Sequence, residues 1–139
     1  PTYTAARESL AGDVELVARF PFALLTPKQH TRFMNSSYSH LPKHGPLEEG
    51  PYAELVAADA ERLGVSDGQR VRVWNDRGSV ELPAKITTRL RTGVVAIPWG
   101  WWGHQHDGGV TANGLTNDTL VDWGGGVAFS DTLVAVAPC

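Results

Sequence analysis

The chain has 139 residues, 42% of them hydrophobic and 19% charged, the balance of an ordinary globular domain, which excludes wholesale disorder. No apolar run approaches the roughly 20 residues needed to cross a bilayer. The single cysteine, Cys139, excludes an internal disulfide framework and a cysteine-rich zinc site, and a net charge of −3 gives no reason to expect nucleic acid.

Residues 1–19 show no clean hydrophobic period and read as a leader or linker, which leaves 20–139 as the folded domain. The chain opens at Pro1 rather than Met, as an excised part of a larger polypeptide would. Phe20 to Leu25 form a short apolar run ended by Thr26-Pro27, consistent with a buried strand. A polar loop region follows as far as Gly50-Pro51. From Leu16 to Leu47 there is no Asp or Glu, while Arg19, Lys28, Arg32 and Lys43 contribute +4, so the remainder of the chain carries −7. A local basic stretch on an acidic protein suits a small anion better than a polyanion, although a solvated basic loop has the same composition.

Tyr52–Val56 reads as a strand and Ala57–Gly64 as a short helix stopped by Gly64. Val71 and Val73 alternate with Arg70, Arg72 and Trp74; after Asn75-Asp76-Arg77-Gly78, the residues Val80, Leu82, Ala84 and Ile86 alternate with polar neighbours. Two period-two runs around a glycine-containing turn predict a hairpin with one buried face, and Pro83 within it predicts an edge or a bulge. Gly93–Pro98 and Leu133–Ala137 complete the strands. Nine of the fifteen glycines and four of the five tryptophans fall between Gly93 and Gly126, a composition that suits close approach of a planar ligand or another chain, and also an ordinary packed loop. About six short strands with one or two short helices predict a mainly β domain closed as a barrel.

Several of these stretches form an ordered set. Leu24-Leu25-Thr26-Pro27-Lys28-Gln29-His30 with Asn35-Ser36-Ser37, then Asp59-Ala60, Leu63-Gly64-Val65, Asp67-Gly68, Val71-Arg72-Val73 and Arg77-Gly78-Ser79-Val80, then Gly93-Val94-Val95, Pro98–Gly103 and Asn113-Gly114-Leu115-Thr116, cover most of the chain from about Phe22 to Val136. Together they resemble the C-terminal molybdopterin-dinucleotide-binding domain of the dimethyl sulfoxide reductase superfamily, which includes formate dehydrogenases, nitrate reductases and thiosulfate or polysulfide reductases. The resemblance implies a six-stranded double-psi β-barrel that closes over a bis-(molybdopterin guanine dinucleotide) cofactor carrying molybdenum or tungsten. The partners it implies are the remaining domains of the same catalytic subunit, with iron–sulfur electron-transfer domains or subunits beyond them. The reaction then belongs to the metal and the other domains, so the isolated domain is expected to be non-catalytic, with no nucleic-acid or membrane contact of its own. The compartment is left open.

By the same resemblance, Thr26, Lys28, His30, Asn35 and Ser36 run along the dinucleotide, Asn113 hydrogen-bonds a pterin, and Trp101 lines the adjacent wall with Trp99 and Trp102. The residue types are apt: cationic and hydroxyl donors suit phosphate, and an amide both donates and accepts at a ring edge. Asp118 and Asp122 offer carboxylates to guanine or pterin N–H groups. Asn113-Gly114 is also a hairpin-turn signal in its own right. Three other readings are available. His104 and His106 at i and i+2 have metal-ligand spacing but lack an evident third ligand. Gly78-Ser79 in a barrel hairpin is similar to the self-cleavage site of the pyruvoyl-dependent aspartate decarboxylases. A plain protein-interaction module would use the tryptophan-glycine face without any cofactor.

Overall fold

Alternating side chains build the barrel, and the computed structural model describes residues 2–29, 34, 37, 41–47 and 50–139 of it. Strand β3 (Arg70–Trp74) and strand β4 (Ser79–Thr87) pair antiparallel in the predicted hairpin, with Val71 opposite Leu82 and Val73 opposite Val80. All four of these side chains are buried, whereas Arg70, Arg72 and Glu81 face outward, as a period of two requires. Strand β1 (Phe22–Leu25) pairs parallel with β5 (Val94–Ala96) and antiparallel with β6 (Leu133–Pro138). Strand β2 (Ala53–Val56) pairs parallel with β4 and antiparallel with β5, and β3 pairs antiparallel with β6. The order β1-β5-β2-β4-β3-β6 closes on itself, giving the expected six-stranded barrel without a free edge. Phe22, Leu24, Leu55, Val71, Leu82, Ile97, Leu115 and Val134 fill its interior. Each such side chain withdrawn from water contributes about 1.5–3 kcal/mol.

Beside a bulge in which Gly68 N–H donates to the Ala84 carbonyl and Ala84 N–H to the Gln69 carbonyl, Pro83 occupies a local edge of β4, as predicted. Its partner across the hairpin is Arg70, whose carbonyl accepts the Cys139 N–H from the far side, so Arg70 directs its backbone groups toward β6. Pro83 therefore stands at a non-hydrogen-bonded position of the β3–β4 ladder, and β2 begins to pair with β4 only at Ala84. The proline's missing N–H is asked for on neither side.

Helix α2 (Ala57–Leu63) ends at Gly64, whose φ of 68° lies in the left-handed region and lets its N–H return to the carbonyls of Ala60 and Glu61. Within this helix the fully buried carboxylate of Asp59 accepts the Gly93 N–H at 2.7 Å and Arg62 Nη2 at 3.0 Å. That bond fixes α2 to the turn that launches β5.

The N-terminal residues hold more order than their sequence pattern predicts. Asp13 caps helix α1 (Val14–Arg19) by accepting the N–H groups of Glu15 and Leu16. Leu16 and Val17 pack against a small cluster of Phe20, Leu133 and Ala135 on the outside of the barrel. Glu8 receives Arg77 Nη1 at 2.8 Å and Nη2 at 2.6 Å, a two-pronged pair that pins the segment to the hairpin turn. Arg77 also donates from Nε to the Leu115 carbonyl, and the Glu8 bond above all raises its pKa further above the usual arginine value.

Candidate functional site

The two stretches singled out in the sequence leave the barrel side by side. Because β1 and β5 are parallel neighbours, they end at the same rim. The chain that follows stays paired beyond the strands: Ile97 N–H donates to the Leu25 carbonyl at 2.9 Å and Trp99 N–H to the Pro27 carbonyl at 3.0 Å, and Lys28 forms a parallel bridge with Trp99. Thr26 is half-buried and Lys28 exposed at this rim. His30, Asn35 and Ser36 lie outside the described residues.

On one side of the paired exits is a cavity of about 280 Å³. Pro98–Trp102, His106, Thr111–Asn113 and Met34 line it, so the predicted Trp101 and Asn113 share one wall with a residue of the basic loop. Trp101 is buried, while Trp99 and Trp102 stand partly in solvent. Met34 adopts φ 49°, a left-handed conformation that a methionine rarely takes. The loop around Asn113 is not a hairpin. Ala112–Gly114 make a single 3-10 turn that lies over the β3–β4 turn, where a Cβ on Gly78 would stand 3.0 Å from the Gly114 carbonyl oxygen. Asn75 holds that arrangement from below: its buried amide donates to the carbonyls of Leu115 at 2.8 Å and Leu133 at 3.1 Å and accepts the Arg77 N–H.

On the other side of Pro98 is a second cavity of about 230 Å³, which includes Lys28, Gln29, Tyr52, Glu54 and Arg89 in its lining. Buried Glu54 pairs with Arg89, and this bond raises the Arg89 pKa. Gln29 is 3% exposed, and among the described residues neither its amide nitrogen nor its amide oxygen has a partner. Buried amides are normally bonded, since an unmet one costs about 1–3 kcal/mol. A larger cavity of about 400 Å³ lies elsewhere, near Asp67 and Lys85, and contains none of the predicted residues. Its polar groups are already engaged: Asp67 accepts the Ile86 N–H, and Lys85 sits 4.5 Å over the Tyr52 ring.

Asp118 falls at a different place. It is exposed, lines neither cavity beside the paired exits, and its charge acts on Arg77 at the hairpin corner. Asp122 lines a separate cavity of about 280 Å³ with Arg7, Glu8 and Asn117. The two histidines of the metal reading separate: His104 is exposed, His106 is buried, and no group of three ligating side chains is placed to hold a metal ion among the described residues. Gly78 and Ser79 form a plain turn, with Asn75 N–H on the Gly78 carbonyl at 3.0 Å and Ser79 opening β4 opposite Trp74. Sequence reasoning did not place Gln29 or Met34 in the site, and it weighed His106 only as a metal ligand. Nothing in the local pattern places them there: the burial of Gln29 and His106, and the approach of exposed Met34 to the same cavity as His106, depend on which segments become neighbours.

Comparison with known proteins agrees with this arrangement. The family model described as "Molydopterin dinucleotide binding domain" matches residues 22–133. The chain is 38% identical over 129 residues to "Probable oxidoreductase YoaE" of Bacillus subtilis (strain 168), covering 93% of this chain and 18% of that protein. It is 48% identical over 44 residues to "Dimethyl sulfoxide reductase DmsA" of Escherichia coli (strain K12), covering 32% of this chain and 5% of that one. Among solved structures, the acetylene hydratase from Pelobacter acetylenicus superposes with a TM-score of 0.84 at 21% identity, over all of this chain and 21% of its own, a likeness of fold. The chain thus spans under a fifth of the length of these two curated relatives. With the match running through both strand exits and the cavities beside them, the chain belongs to the molybdopterin-dinucleotide-binding domain family of the dimethyl sulfoxide reductase superfamily.

Proposed function

We propose that the paired exits of β1 and β5 are the cofactor-facing rim of this domain within a larger molybdenum or tungsten oxidoreductase. The barrel domain is residues 20–139, and 1–19 is the stretch that leads into it, folded back on its outside through helix α1. In this reading Thr26, Lys28, His30, Asn35 and Ser36 hold the dinucleotide arm of a molybdopterin guanine dinucleotide, in a bis arrangement, while Trp101 and Asn113 meet the pterin. The observation that carries the reading is the continued pairing of Lys28 with Trp99, which brings the basic loop and the tryptophan segment into one surface.

The donor set suits the ligand. Lys28 supplies an exposed cation at the rim, and Thr26 supplies a hydroxyl. The unmet amide of Gln29 suits a group that both donates and accepts, such as a purine or pterin edge. Gln29 therefore joins the proposed binding residues. Asp118 has the weakest support, standing on the Arg77 side of the barrel. When bound, the cofactor supplies the redox chemistry at its metal; this chain binds and orients it and shields it from water. The other domains of the larger enzyme, together with iron–sulfur domains or subunits, complete the cradle and the electron path.

The test uses the intact enzyme. Lys28→Ala lowers pterin and metal content about tenfold, while thermal unfolding of the variant matches the parent. Unchanged pterin and metal content would remove Lys28 from the site. On the chain itself, titration with GDP followed by NMR shifts amides in 26–37 and 99–118, and a spectrum unmoved at millimolar ligand contradicts the reading.

A further inference from the structure

The cavity beside the tryptophans contains one polar group that neither the fold nor the predicted site uses. His106 is 7% exposed and forms part of the wall that carries Trp101 and Asn113. Its backbone is committed, with its N–H on the Gly103 carbonyl at 3.0 Å and its carbonyl receiving the Gly109 N–H at 3.1 Å. Those two bonds fix the imidazole between successive 3-10 turns. Its Nδ1 has no partner among the described residues. Leaving such an atom unmet costs about 1–3 kcal/mol, and native structures keep few of these away from sites where something else meets them.

Three properties of the cavity narrow what it takes. Its lining includes three indoles and a proline, flat apolar surfaces of the kind on which a planar ring stacks. Polar side chains in the lining are few and of mixed sense, an amide from Asn113, a hydroxyl from Thr111 and an imidazole from His106, which suits a ring edge that alternates donors and acceptors. Burial also holds the His106 pKa below its usual value, against a weaker opposite pull from Asp107, so the imidazole is neutral at neutral pH and offers one donor and one acceptor.

We propose that His106 is a binding contact for the aminopyrimidinone edge of a pterin ring seated in this cavity, which Asn113 also lines, and so a positioning residue for the cofactor. The proposal rests on the functional reading above and adds to it a residue outside the predicted site. It also explains why His106 is buried while His104, two residues earlier, is exposed. The imidazole serves a ring ligand here.

The experiment is an NMR titration of the 139-residue chain with 6-hydroxymethylpterin, reading backbone amides and the two imidazole ¹⁵N resonances of His106 together. Amides in 98–113 shift, and at least one His106 ring nitrogen moves with the same apparent Kd. His106→Phe weakens binding about tenfold, the loss of one hydrogen bond to a buried group, with the barrel amides of β3 and β4 unchanged. Of His106→Asn and His106→Gln, which retain a polar atom near Nδ1 and Nε2 respectively, at least one binds within about threefold of the parent. Amide shifts in 98–113 with both ring nitrogens still, or equal affinity for all three variants, overturn the role of His106 and leave the cofactor rim intact. No shift anywhere up to millimolar pterin overturns the pterin placement and His106 with it.

Discussion

Replacing Gln29 with methionine should stabilise the free domain while weakening its grip on the cofactor. The side chain is 3% exposed and both amide atoms lack a partner among the described residues, so the folded state bears a desolvated amide that the unfolded chain hydrates. Protein mutational data place that penalty at about 1–3 kcal/mol. Methionine keeps the unbranched shape and nearly the volume, so little packing is lost in exchange. A net gain of about 1–2 kcal/mol follows. For a chain of 139 residues with an unfolding entropy of about 2.1 cal/mol/K per residue, that gain raises Tm by about 3–7 °C. Urea unfolding followed by tryptophan fluorescence checks the sign: the midpoint rises at constant m-value. In the intact enzyme the same substitution lowers pterin content about tenfold, because the amide's partner is then the ligand. A methionine variant with an unchanged or lower Tm would refute the reasoning, since it would mean that the amide is satisfied in the free fold. Gln29→Ala is the poorer probe, because it removes the unmet amide and opens a void at once.

Other consequences follow from groups that are fully bonded. Asn75→Ala strands the carbonyls of Leu115 and Leu133 and the N–H of Arg77, and should cost about 2–4 kcal/mol in urea unfolding; a loss under about 0.5 kcal/mol would mean those groups find other partners. A double-mutant cycle of Glu8→Gln and Arg77→Gln should give a coupling of about 0.5–1.5 kcal/mol, since the pair is two-pronged but only partly shielded from water; a coupling near zero would show that residues 2–13 do not hold to the hairpin in solution. His106 sets a pH dependence. Its pKa is lowered in the folded chain by burial, so as pH falls below about 6.5 the unfolded state takes up a proton that the folded state refuses. Stability should decline over that range, by at most about 1.4 kcal/mol per pH unit from this group, and His106→Asn should flatten the decline. An identical profile in the variant would assign the acid loss to other groups.

How much of this molecule was legible in its residues depends on the range of the forces involved. Strands β3 and β4 and their register could be read because Val71, Val73, Val80, Leu82 and Ala84 alternate with polar neighbours, and alternation is a local consequence of the pleat. The stop of α2 at Gly64 was equally local, a left-handed residue where a side chain would be strained. Helix α1 was not legible. Six residues do not nucleate a helix alone, and α1 is held by the Asp13 cap and by packing of Leu16 and Val17 on strand β6 residues far away in the chain. Pro83, by contrast, was legible: a proline in a strand needs a place where no ladder asks for its N–H, and β2 joins β4 only at Ala84, beside the bulge at Gly68 and Gln69.

The site divides along the same line. Composition and motif order singled out a basic loop and a tryptophan-rich segment about seventy residues apart in the chain, and named Lys28, Trp101 and Asn113 within them. That they form one surface was decided by the parallel pairing of β1 with β5, which no local pattern encodes. Gln29 and His106 are buried with polar atoms unmet, and no local pattern shows it, because burial is a property of what packs around a residue and not of the residue itself. The sequence alone thus determined the strands, the charge and the chemical types available to a dinucleotide. The tertiary structure decided which of those groups stand together, and which were left without a partner inside the protein.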